Sequence, residues 1–141
     1  MVSEELRSII EKMVNQGEMS FLEAATIDQI ADFEKEAEIS LPEKYKEWLQ
    51  YSDGGEFFLP AGIQLYGVAH KPLIDVNDNS RPNDEYIVIG AFATGDPILC
   101  KKGEETISIF NQESGKIDEE LVFQDFPSFL KELYELLGIG E

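Results

Sequence analysis

The stretch Ser40-Leu41-Pro42-Glu43-Lys44-Tyr45-Lys46-Glu47-Trp48-Leu49-Gln50-Tyr51-Ser52-Asp53-Gly54-Gly55 marks the place where the chain changes its hydrophobic period. Its first part carries the start signals of a helix. Ser40 stands as a cap with Glu43 three residues on, and Pro42 occupies the first turn, where a missing N–H costs little. Leu41, Tyr45, Trp48 and Leu49 then share one buried face. The paired glycines end the element, because together they would cost about 2 kcal/mol inside a helix but adopt positive φ readily.

Upstream of this stretch the period is helical. Leu6, Ile9, Ile10, Met13 and Val14 recur on one face, with Ser3 placed to cap and Gly17 to stop. A second helix opens at Thr26, where Gln29 completes a capping box, and Ile27, Ile30, Ala31 and Ala37 give a looser apolar stripe beside Phe33.

Downstream the period becomes that of strands. Short apolar or β-branched runs occupy Ile63 to Val68, Tyr86 to Ala91, Pro97 to Lys101 and Thr106 to Phe110, with Leu121-Val122-Phe123 as a further extended piece. Lys102-Gly103-Glu104-Glu105 and Gln112-Glu113-Ser114-Gly115 read as turns, so the later strands pair antiparallel. Asp125-Phe126-Pro127 then opens a closing helix with Phe129, Leu130, Leu133 and Leu137 at helical spacing and Gly138 as its stop. The expected fold is α+β, with helices flanking a mainly antiparallel central sheet, in a single domain over residues 1–141.

A chain of 141 residues buries roughly two-thirds of its unfolded surface, enough for one core. Its hydrophobic share of 43% sets it apart from disordered chains despite the acidity. The balance of 11 basic against 29 acidic residues, a net charge of -18, repels phosphate backbones and excludes nucleic acid as a direct partner. The same charge serves solubility or the attraction of a basic protein. Cys100 has no second cysteine to pair with, and the opening residues lack the basic and apolar character of a secretion signal, so the expected compartment is the cytoplasm. No apolar run approaches the ~20 residues of a membrane span.

Candidate chemistry is sparse. His70 and Cys100 lack a nucleophile motif around them and read as a loop histidine and a buried small apolar group. Asp75-Val76-Asn77-Asp78-Asn79 opens like a calcium loop but fails at Ser80, Pro82 and Tyr86, where glycine, a flexible residue and a bidentate glutamate belong. Gly54-Gly55 and Gly138-Ile139-Gly140 lack phosphate-binding spacing. The expectation is therefore a protein that is not an enzyme and uses no metal or cofactor. Among the aromatic residues around Trp48, that indole belongs in the core, and Tyr51 with one of Phe57 and Phe58 is left for the surface.

Several runs together resemble one family. Ile30-Ala31-Asp32-Phe33-Glu34, then Leu41 through Leu49 and Asp53-Gly54-Gly55-Glu56, are similar to the signature of the SMI1/KNR4 family of the SUKH superfamily. Tyr86-Ile87-Val88-Ile89-Gly90 with Gly95-Asp96-Pro97-Ile98 resembles its central strand pair, and Phe126-Pro127-Ser128-Phe129-Leu130 its closing helix. The likeness spans a core of residues 25–137 and leaves 1–24 as an N-terminal helical extension.

For bacterial members the resemblance implies immunity proteins that bind and neutralise polymorphic toxins, often nucleases; fungal relatives act in signalling and cell-wall regulation. It carries over no catalytic residues. Leu41, Pro42, Trp48, Gly54, Gly55, Gly90 and Asp96 match recurrent positions of mainly structural character, with the Gly54-Gly55 turn and the Asp96 loop bordering a possible recognition surface. The candidate partner-binding residues are Tyr51, Asp53, Gly54, Gly55, Glu56, Phe58 and Asp96, and the expected partner is a cognate, basic protein toxin. The alternatives are a regulatory or scaffolding interaction module and, more distantly, an enzyme.

Overall fold

Thr26 and Gln29 make the reciprocal cap that their spacing predicts: the Thr26 hydroxyl accepts from the Gln29 N–H at 3.1 Å, and the Gln29 side chain accepts from the Thr26 N–H at 2.9 Å. Helix α2 (Ile27–Ala37) follows, and it ends at Glu38, whose φ of 57° is left-handed without being glycine. The Ile39 N–H returns to the Glu34 carbonyl at 3.0 Å and closes the turn. The computed structural model describes residues 4–14, 19–57, 62–70, 73–74, 85–92 and 95–137. The readings of Ser3, Gly17, Phe58, Asp75 to Asn79 and Gly138 lie outside them.

Helix α1 (Glu4–Val14) buries Leu6, Ile9 and Ile10, the face its spacing predicts. Helix α3 (Glu43–Leu49) buries Tyr45, Trp48 and Leu49. Its start differs from the sequence reading: Ser40 is exposed and makes no side-chain cap. The Glu105 carboxylate caps instead, accepting from the N–H groups of Glu43 and Lys44 at 2.8 and 3.0 Å. A charged acceptor at the helix N-terminus meets both the orphan donors and the dipole, and it leaves the serine nothing to do. Helix α4 (Phe126–Leu137) is capped as read, with the Asp125 carboxylate accepting from the Ser128 N–H at 2.9 Å.

Among the described residues seven strands form one sheet: β1 (Met19–Ser20), β2 (Gly55–Phe57), β3 (Ile63–Leu65), β4 (Tyr86–Phe92), β5 (Pro97–Lys101), β6 (Ile107–Asn111) and β7 (Lys116–Phe123). Each pairs antiparallel with the next in chain order. Strands β1 and β2, with two and three residues, are too short to leave a period-2 signal in sequence. The run read as a strand to Val68 stops at Leu65: the Tyr66 N–H still reaches the Ile89 carbonyl of β4 at 2.7 Å, but from Val68 onward the backbone donors turn to a side chain described below. Gly90 is required by a close approach: a Cβ there would come within 2.5 Å of the Gln64 carbonyl oxygen.

One buried cluster joins the four described helices to one sheet face, with Leu6, Ile30, Trp48, Phe126 and Phe129 against Ile87, Ile89, Ile98, Cys100, Ile107 and Ile109. The opposite face carries a smaller cluster of Val88, Leu99 and Phe110. Strand alternation accounts for this division. Tyr45 ties the layers, its hydroxyl donating to the Tyr66 carbonyl at 2.5 Å, while burial holds the phenol well above its ordinary pKa.

The apolar stripe of α2 departs from expectation. Ile30 is buried and Phe33 and Ala37 are half-buried, but Ala31 is exposed and Ile27 is 69% exposed. Beside them α3 and its C-cap offer Glu43, Lys46, Glu47 and Gln50, which give no apolar cover.

Candidate partner-binding surface

The surface begins beneath, at Trp48. Its indole is fully buried, and Nε1–H donates to the Gly54 carbonyl at 3.1 Å, which joins the end of α3 to the turn that follows. Its ring centroid lies 5.5 Å from that of Tyr51 and 5.9 Å from that of Phe21. Phe21 and Tyr51 meet edge to face at 5.3 Å, and each is 37% exposed, so two aromatic rings form a ledge over a buried third. Phe21 was not singled out in the sequence, because it lies in the irregular segment between β1 and α2, where no periodicity marks it.

The turn after the ledge is built by polar groups. Ser52 is buried; its hydroxyl accepts from the Leu22 N–H and donates to the Gly54 carbonyl, both at 2.9 Å. The Asp53 N–H reaches the Glu23 carbonyl at 3.2 Å, and the Ala25 N–H reaches the Leu49 carbonyl at 2.8 Å. Segment 21–25 is thereby stitched to residues 49–53. Gly54 takes a φ of 101°, and a Cβ on it would come within 2.6 Å of the Leu65 carbonyl oxygen. Only glycine meets both conditions.

Asp53 is the hub. Its carboxylate is fully buried and accepts from the N–H groups of Val68, Ala69 and His70 at 2.7, 2.8 and 2.8 Å, and it contacts His70 Nδ1 at 2.9 Å. These bonds draw residues 68–70 out of the sheet and hold them over the turn. Four partners satisfy a buried carboxylate, which would otherwise be costly to desolvate. The other ring nitrogen of His70 lies 3.8 Å from the exposed Glu23 carboxylate.

The candidate residues therefore fall into two groups. Asp53, Gly54 and Gly55 are enclosed, and they shape the surface from below. Tyr51 and half-buried Glu56 are accessible on it. Asp96 is also half-buried, but it stands elsewhere, accepting from the Gln112 N–H at 3.2 Å between the β4–β5 and β6–β7 turns. Glu56 pairs across to Gln64, Gln64 to Ala91 and Ala91 to Pro97. Three strand spacings, about 14 Å, thus lie between Glu56 and Pro97, the neighbour of Asp96.

An aspartate that orients a histidine also supports catalytic dyads, but the group described at the free edge of His70 is a carboxylate, Glu23. Cys100 is fully buried, and burial, with the Glu105 carboxylate second, pushes its thiol far above the ordinary range. Such a thiol is not a nucleophile at neutral pH. Among the described residues no group of three or more histidine, cysteine or acidic side chains is arranged to hold a metal. No described helix is long and apolar enough to cross a membrane.

The model of the SMI1/KNR4 family (SUKH-1) matches residues 24–132. The chain belongs to the SMI1/KNR4 family. Comparison with curated proteins gives no match. Within this SMI1/KNR4 domain the recurrent positions have visible packing roles: Leu41 and Pro42 are buried at the start of α3, Trp48 under the ledge, and Gly54 and Gly90 at backbone crossings. The SMI1/KNR4 match begins beyond α1 and β1, so Phe21 of the ledge comes from a segment outside it.

Proposed function

We propose that this SMI1/KNR4 protein is an immunity protein that binds a cognate, basic toxin and neutralises it by covering its active site or substrate-binding surface. Family membership over residues 24–132 carries the reading. The net charge of -18 supplies the sign of the partner, since nucleases and other toxins acting on phosphate polymers present cationic surfaces. The protein acts by binding, without turnover, and the cytoplasm is where it would meet the toxin.

Charge alone accelerates the encounter. A field of this sign raises association with a cation by ~10–10³-fold at low salt, and screening over ~8 Å removes much of that at physiological ionic strength. Tight binding also needs buried anchors, and the ledge of Tyr51 and Phe21 offers aromatic area at low entropic cost.

The test is co-expression with the toxin encoded beside the gene, followed by kinetics with the purified pair. Protection of the host, with association slowed by salt far more than dissociation is hastened, supports the reading. Failure to bind or protect hands the function to regulatory scaffolding, whose partner affinity capture would identify.

A further inference from the structure

Helices α2 and α3 enclose an open groove of about 330 Å³ lined by Ile27, Ile30, Ala31, Glu34 and by the α3 side chains. Its two walls differ in chemistry. On α2, Ile27, Ile30 and Ala31 stand at i, i+3 and i+4 and make one apolar ridge. On α3 and its C-cap, Glu43, Lys46, Glu47 and Gln50 stand at i, i+3, i+4 and i+7 and make a polar ridge.

The cation of that polar ridge is already engaged. Lys46 Nζ lies 2.9 Å from Glu43 and 3.3 Å from Glu34, so its charge is spent on the groove's own acids. The walls together carry Glu34, Glu43 and Glu47 against Lys46, a net of two negative charges. Glu34 is held by a further bond from the Leu41 N–H at 2.7 Å, which sets the floor before anything binds.

We infer that the α2–α3 groove docks a basic amphipathic helix of the partner, with an apolar side chain against Ile27 and Ala31 and a lysine or arginine toward Glu43 and Glu47. Ile27, at 69% exposure on the first turn of α2, is the anchor left uncovered. An open groove with one polar wall does not enclose a small ligand as binding pockets do. A second copy of this chain would bring another charge of -18 and be repelled. A helix with one apolar and one cationic side answers both walls. The groove ends at Gln50, next to Tyr51, so it adjoins the aromatic ledge.

This inference rests on the immunity reading for the identity of the partner, and two probes separate them. The first is a synthetic amphipathic helix of leucine and lysine, titrated into the isotopically labelled protein. The second is the toxin encoded beside the gene. The variant is Ile27→Lys, with Val122→Lys as the matched control at another exposed apolar position, 47% accessible on β7. Both should fold with unchanged circular dichroism.

The peptide should shift the amide signals of Ile27, Ala31, Glu43 and Glu47. Ile27→Lys should weaken peptide and toxin by at least ~10-fold, and Val122→Lys by less than ~2-fold. Shifts mapping away from the groove, no binding of the peptide, or Ile27→Lys binding the toxin as the parent does, overturn the groove. Peptide seated in the groove without protection from the toxin overturns the immunity reading and leaves the groove standing.

Discussion

The Asp53 carboxylate accepts the backbone N–H of His70 at 2.8 Å and contacts Nδ1 of the same residue at 2.9 Å, so one buried acid fixes both the main chain and the ring of a residue in another segment. It does so from a fully buried position at the end of the α3 turn. The returning segment 68–70 depends on it.

Asp53→Ala should therefore be among the most damaging single changes in the protein. It leaves three backbone donors of Val68, Ala69 and His70 without their acceptor. Each buried unsatisfied group costs about 1–3 kcal/mol, and partial hydration lowers the sum, so a loss of about 3 kcal/mol or more is expected. Urea unfolding measures it, and Asp53→Asn, which keeps one acceptor oxygen, should lose less. A loss under about 1 kcal/mol for the alanine variant would show that the carboxylate is not the hub.

Trp48→Ala should cost about 3–5 kcal/mol, as for large aromatic truncations in cores. The indole is fully buried and also bonds the Gly54 carbonyl at 3.1 Å. The Tyr51 ring, 5.5 Å away, would lose its support, so partner affinity should fall alongside stability. Equilibrium unfolding and binding on the same preparation check both.

The cap of α3 gives a paired test. Glu105→Ala removes the acceptor of the Glu43 and Lys44 N–H groups and should cost about 0.5–2 kcal/mol. Ser40→Ala, the change a local reading would call harmful, should stay within about 0.5 kcal/mol. Reversal of that order in thermal or urea melts would restore the serine as the cap.

Asp125 gives a pH dependence with a definite sign. Burial acts to raise its pKa, but bonds from the Ser128 backbone and side chain, then the charges of Lys44 and Lys131, outweigh burial and hold it below the ordinary value of 3.8. A folded pKa below the unfolded one stabilises fully above about 3.8 and loses that contribution as pH falls through the folded value. The stability gap between the parent and Asp125→Asn should then be open at pH 7 and narrow as the pH falls below 3.8. A gap that is constant with pH would remove the carboxylate's charge from the account.

Much of this protein was legible along the chain because the signals are local. The change of period at Gly54-Gly55, the Thr26–Gln29 capping box, the Asp125 cap and the buried Leu6, Ile9 and Ile10 face each involve residues a few positions apart. Neighbours at i+3 and i+4 meet whenever a helix forms, whatever surrounds it. The antiparallel pairing followed from short turns for the same reason, and it came with the right strands from β4 to β6; of β7 (Lys116–Phe123) only Leu121 to Phe123 was read, because the charged run before it carries no apolar alternation.

The tertiary structure decided the features whose partners are distant in sequence. Glu105 replaces Ser40 at α3 across a separation of 62 residues, and Asp53 reaches residues 15 to 17 positions away, so neither bond leaves a pattern in either segment alone. Phe21 joins Tyr51 through folding, with no spacing to announce it. Ile27 shows the converse: helical spacing gave α2 its apolar stripe, but a stripe states only which residues share a face. Whether that face is covered depends on what lies opposite, and α3 places charged side chains there. The sequence by itself determined the helices and the longer apolar strands, because backbone geometry repeats over a few residues; burial and exposure at the candidate surface were settled by the packing of one element against another.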